Sequence, residues 1–98
     1  MSREAARAEA GVVAQFVGAK QGEMAAHQSR IEVYERLAEV QQRLGVADRA
    51  ADARAHAQRA REGYRMAAAE LAAYLVRIEA VEDARARRRK EQPGQPGG

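Results

Sequence analysis

Two histidines, two serines, three tyrosines and no cysteine are the side chains from which this 98-residue chain could build a reactive site beyond its ordinary charges. His27 follows Glu23 by four positions and His56 follows Asp52 by four. On a helix that spacing puts each pair on one face, where a metal ion could be shared. Carboxylate-bridged metal bundles, however, use Glu-x-x-His on two helices, and neither histidine has a glutamate three residues before it. Charge pairing along a helix surface accounts for both spacings. No metal or cofactor is expected. Ser2 and Ser29 have no base that spacing would single out, and the chain contains no Gly-x-Ser-x-Gly, no phosphate-cradling glycine loop and no His-Glu-x-x-His. The absence of cysteine excludes disulfides and thiolate chemistry. The chain is expected not to be an enzyme.

One cluster does suggest a ligand. The formal net charge of +3 divides unevenly: residues 1–84 carry 12 basic and 13 acidic side chains, whereas residues 85–98 carry five basic and one acidic. Arg85, Arg87, Arg88, Arg89 and Lys90 therefore form a candidate anion-binding segment, suited to phosphates of nucleic acid or to an anionic surface. No aromatic residue is interleaved, so contacts with nucleic acid would be nonspecific and sensitive to salt. Basic residues also favour a helix C-terminus through the backbone dipole, a purely structural account of the same run.

These groups would be carried by helices. Proline is absent before Pro93, and Ala, Glu, Arg and Gln dominate; all are good helix formers. The break falls at RLGVAD, where Gly45 can take the left-handed conformation that ends a helix, Asp48 can cap the next, and Val46 sits under the turn. The expected fold is all-α: a helix over about 3–44, a turn at Gly45, and a helix over about 48–90, followed by a disordered Pro/Gly tail over 91–98. In the second helix Ala50, Ala53, Ala57, Ala60, Tyr64, Ala67, Leu71, Tyr74, Ile78 and Val81 follow an unbroken alternation of three and four steps. That is a seam for lengthwise packing. Tyr64 and Tyr74 read as core residues with their hydroxyls at the edge.

The first helix is less regular. Val33, Leu37, Val40 and Leu44 keep the same step and are expected to meet the alanines near the turn, with Val12 and Phe16 continuing the register. A neighbouring stripe of Val13, Val17, Met24, Ile31 and Tyr34 widens the apolar face. Gly18 and Gly22 each cost about 1 kcal/mol relative to alanine, so the sequence leaves open a break or kink between them, which would make three helices of two. Folding at Gly45 makes facing residues sum to about 91, which also brings His56 near Glu35. At the open end Val12, Phe16 and Val17 should meet Leu71, Tyr74, Leu75 and Ile78.

A bare hairpin of this length covers one stripe per helix, and a chain this small has a thin core. Pairing two hairpins into a homodimeric four-helix bundle would cover the remainder. No apolar run approaches the roughly 20 residues that span a bilayer, and the charged start MSREAARAEAG lacks a signal-peptide core; a soluble cytoplasmic protein is expected. In size and in its glycine-centred hairpin the chain resembles the WXG100 small proteins of type VII secretion. Where that family has Trp-x-Gly this chain reads Arg43-Leu44-Gly45, and neither Tyr64 nor Tyr74 is followed four residues later by an acid. That resemblance implies a secreted hairpin. The stretch from Tyr34 to Glu62 is also similar to one tetratricopeptide-type helix pair, which implies a stacking unit without a second copy to stack on. The reading that follows from the residues is a structural or interaction protein, a helical hairpin that oligomerises and binds a protein partner. Anion binding through the basic segment is the alternative.

Overall fold

The computed structural model describes residues 2–91. Two helices, α1 (Arg3–Arg43) and α2 (Ala47–Lys90), fold back on each other as an antiparallel hairpin measuring 78 × 22 × 12 Å. No strand occurs among the described residues. The expected Pro/Gly tail, apart from Glu91, lies outside them.

Local sequence sets the ends of each helix. Ser2 caps α1, its side-chain oxygen accepting from the Ala5 amide at 3.1 Å, and Glu4 lies in the first turn at the positive end of the dipole. At the other end Gly45 takes φ +78°. The Gly45 amide donates to the Gln42 carbonyl at 3.2 Å and the Val46 amide to the Gln41 carbonyl at 2.9 Å. This pair of bonds is a Schellman closure, which occupies the carbonyls a helix end leaves free. The chain then re-enters a helix at once. Val46, with no side-chain cap bond, is the N-cap of α2, so Asp48 does not cap as expected. It lies in the first turn of α2, where its charge faces the helix dipole.

The break left open at Gly18 and Gly22 does not occur; α1 runs unbroken through both. A Cβ at either position would meet nothing within 4 Å, so neither glycine is there for packing. Their propensity cost, about 1 kcal/mol each, is outweighed by the surrounding helix formers and the support of α2.

The seam of α2 is as its spacing predicts. Ala50, Ala53, Ala57, Ala60 and Ala67 are buried, Ala50 completely. Tyr64, Leu71, Tyr74 and Ile78 are half-buried, and Val81 marks where cover runs out. On α1 the expectation needs correcting. Val33, Leu37, Val40 and Leu44, expected to meet the alanines, are not buried: their exposure runs from 40% at Leu37 and 44% at Val40 to 61% at Val33 and 74% at Leu44. The face turned to α2 is the neighbouring stripe, with Ile31 and Ala38 buried and Val13, Val17, Met24 and Tyr34 half-buried. Small side chains can be enclosed between only two helices, and large ones project past the line of contact. No helix of the described chain is long and apolar enough to cross a membrane.

Candidate interaction surfaces

Three surfaces follow from this arrangement. The first is internal. The inward side of α1 combines two lines at seven-residue spacing, Val17, Met24, Ile31 and Ala38 on one, and Lys20, His27, Tyr34 and Gln41 on the other. The second line is polar, and Lys20, His27 and Tyr34 in it meet residues across the hairpin. Lys20 Nζ forms an ion pair with Glu70 and bonds Glu23 at 3.2 Å, while lying 5.7 Å from the centre of the Phe16 ring. Tyr34 stacks on His56 with ring centres 4.8 Å apart, and Phe16 packs on Tyr74 with centres 4.0 Å apart and the rings tilted by 32°. The hydrogen bonds from Lys20, to Glu70 above all and then to Glu23, hold its ammonium above the ordinary lysine value of 10.5. These contacts pair residues whose numbers sum to 90, close to the expected register.

Between them sits a close approach that sequence did not disclose. A Cβ at Gly63 would fall 2.4 Å from the His27 ring, nearer than any side chain tolerates. The imidazole occupies the space that a side chain on α2 would need. His27 also lies 3.4 Å from Arg30, and His56 lies 2.8 Å from Arg59. Glu35, expected near His56, is ion-paired with Arg61. Among the described residues no three His, Asp or Glu side chains are gathered as metal ligands would be. Gln41 Oε1 is buried and accepts no hydrogen bond from any described residue.

The second surface is the flank of α1. Val12, Val33, Leu37, Val40 and Leu44 all project into solvent, and the last four form an apolar ridge of three turns at the turn end. Arg36 and Arg43, each preceding a ridge leucine, border it on the outer side. Across the hairpin, Leu75 and Val76 of α2 are also exposed.

The third surface is a groove of about 880 Å³ between the helices at the open end. Ala6, Ala10, Val13, Ala14 and Val17 supply one wall, and Ile78, Glu82, Arg85, Arg88 and Arg89 the other. Of the basic segment, Arg85 is already engaged: its Nη1 donates to both oxygens of Glu9 at 2.8 and 3.0 Å and to Glu82 at 3.1 Å. Arg87, Arg88, Arg89 and Lys90 are exposed, occupy the last turn of α2 and form no ion pair with a described residue. The five charges therefore do not act as one set. No family model matches the chain, and neither a curated protein nor a solved structure matches it.

Sequence reasoning found the inner face of α1 in part, at Val17, Met24, Ile31 and Tyr34, but missed Lys20, Ala38, Gln41 and Gly63 and the inward place of His27. A signal was present in the seven-residue repeat 20, 27, 34, 41 beside 17, 24, 31, 38. It was masked because the polar line carries no hydrophobic signature.

Proposed function

We propose that this chain is a non-enzymatic interaction protein that pairs with a second copy through the ridge Val33, Leu37, Val40 and Leu44. The observation that supports this reading is the ridge itself: four large apolar side chains in register that the hairpin's own fold leaves 40–74% exposed. Exposed apolar surface of this kind marks association sites. The spacing is symmetric about its own middle, so two antiparallel ridges related by a two-fold would set Val33 against Leu44 and Leu37 against Val40 in both directions. That is the self-complementarity a two-fold interface requires. A four-helix bundle results.

The bordering arginines sharpen the test. In such a pairing Arg36 of one copy approaches Arg43 of the other, a repulsion that dissolved salt screens. Light scattering should return twice the 10.7 kDa of one chain, with association tightening as salt is raised. Replacing Leu37 and Leu44 together by glutamate should give a monomer of unchanged helicity. A wild-type monomer at tens of micromolar, roughly a strength of −6 to −7 kcal/mol, would overturn the reading.

A second reading has its own observation, the four charges Arg87 to Lys90 at the exposed end of α2, which form no ion pair with a described residue. They suit an anionic partner. Neutralising all four to glutamine should abolish retention on a polyanion column at moderate salt, and retention that survives the change removes this reading.

A further inference from the structure

The open-end groove lies apart from the ridge at the turn and is not occupied by the pairing proposed above. Its apolar lining is half alanine, Ala6, Ala10 and Ala14 beside Val13, Val17 and Ile78, which lets another chain approach closely, and it is open to solvent. Ala6 to Val17 spans about 16 Å at 1.5 Å per residue, roughly three helical turns. The carboxylates in it, Glu9 and Glu82, are both satisfied by Arg85. Charge left over is confined to one end, at Arg88 and Arg89.

We propose that this groove seats an amphipathic helix of another protein, one with carboxylates in its first turn, laid parallel to α1. The inference rests on reading the hairpin as an interaction protein and gives one of its faces a partner. Residues 92–98, QPGQPGG, carry no large apolar side chain that could fill the floor. A second copy offering its exposed ridge would bring Arg36 and Arg43 with it, against Arg88 and Arg89. A helix covers the full width of an open two-helix groove, as helix-in-groove recognition does elsewhere, whereas a single acyl chain would leave one side in water. Direction follows from charge. Acidic residues are favoured in a helix's first turn, so the end that meets Arg88 and Arg89 is an N-terminus, and the helix runs from the open end toward Gly45.

The test uses the full chain and two labelled peptides of about 18 residues, with leucine and alanine at the i, i+3, i+4, i+7 positions of groove-binding helices. One carries three glutamates in its first turn; the other has the same composition with the glutamates in its last. Fluorescence anisotropy should show the acid-first peptide binding about ten-fold tighter, the scale of a pair of charge-assisted contacts. R88Q with R89Q should erase that preference. Ala14→Glu, at an exposed position on the groove wall, should abolish binding of both peptides with helicity unchanged by circular dichroism. Equal affinity for the two peptides, or binding indifferent to Ala14→Glu, overturns the proposal. So does an affinity for phosphatidylglycerol vesicles that exceeds that for either peptide and is lost in the same variants, which would place lipid in the groove. Light scattering on the same samples keeps the readings apart: a dimer that ignores both peptides defeats the groove alone, and a monomer that binds the acid-first peptide defeats the ridge alone.

Discussion

Near Gly45 the hairpin is closed by alanines that are almost fully buried, and toward the other end it is closed by Phe16, Leu71, Tyr74 and Ile78, none of which is. The half with the least hydrophobic mass is the better sealed. Two helices meet along a line, and only side chains short enough to stay within that line escape solvent completely. Larger ones give more contact area but spill over the edges, and there they build grooves and ridges. Tight packing at one end and recognition surface at the other are thus two results of one geometry with different residues fed into it.

The contrast can be broken most directly by overfilling the sealed half. Ala57→Leu should cost about 2–3 kcal/mol, since inserting methylenes into a packed seam forces the helices apart. Ala10→Leu, on the open groove wall, should stay within about 0.5 kcal/mol of wild type. Chemical denaturation of both variants measures this; equal losses would dissolve the distinction. Next in size is the glycine contrast. Gly63→Ala should cost about 1–2 kcal/mol through overpacking against the His27 ring, despite the better helix propensity of alanine. Gly18→Ala, with open space around it, should gain up to about 1 kcal/mol. Adding His27→Ala to Gly63→Ala should recover part of the loss in a double-mutant cycle, and additivity would argue against the contact. Truncating a half-exposed residue is smaller still. Ile78→Ala is expected to cost about 1–2 kcal/mol, at or below the lower end for isoleucine-to-alanine changes, because water already reaches the site.

The smallest effect is electrostatic. Because its partners raise the folded-state pKa of Lys20, the stabilisation from its charge is complete below the unfolded value of 10.5 and is lost as pH climbs through the raised folded value. Melting temperatures of wild type and Lys20→Met should therefore differ at pH 9 and converge in strong base. A gap that stays constant through that range would show that Lys20 contributes by packing, not by charge.

How much of this was legible beforehand depends on which helix is considered. The α2 seam could be read because every member from Ala50 to Ile78 is apolar and regularly stepped, so periodicity and burial agree. Gly45 could be read because a helix end needs a residue that tolerates positive φ. The same logic misled on α1. Its most conspicuous stripe, Val33 to Leu44, looks like a core line yet faces outward, while the real line includes Lys20, His27 and Gln41. Lys20 is placed by a carboxylate that α2 offers opposite it and His27 by a missing Cβ, and such complementarity belongs to neither helix alone. Gly63 is the clearest case: in one helix it reads as a weakness, and only the imidazole across from it explains the need for so small a residue. The open-end groove was hidden for a related reason. Ala6, Ala10 and Ala14 carry little signal, and their concavity exists only once Ile78 and Arg85 stand beside them.

The clamp between Glu9 and Arg85 joins positions 76 residues apart in the chain, whereas Gly45 closes its turn over four. Contacts near the turn involve little loop closure and those at the open end involve the most. Such a molecule is expected to unzip from its termini inward, with amide protons exchanging fastest beside Ala6 and Arg88 and slowest beside Ala53. The open end is then a fraying mouth as well as a surface. Anything docking across both helices there would slow exchange in the last turns, and so register its arrival as a loss of motion before any change of shape.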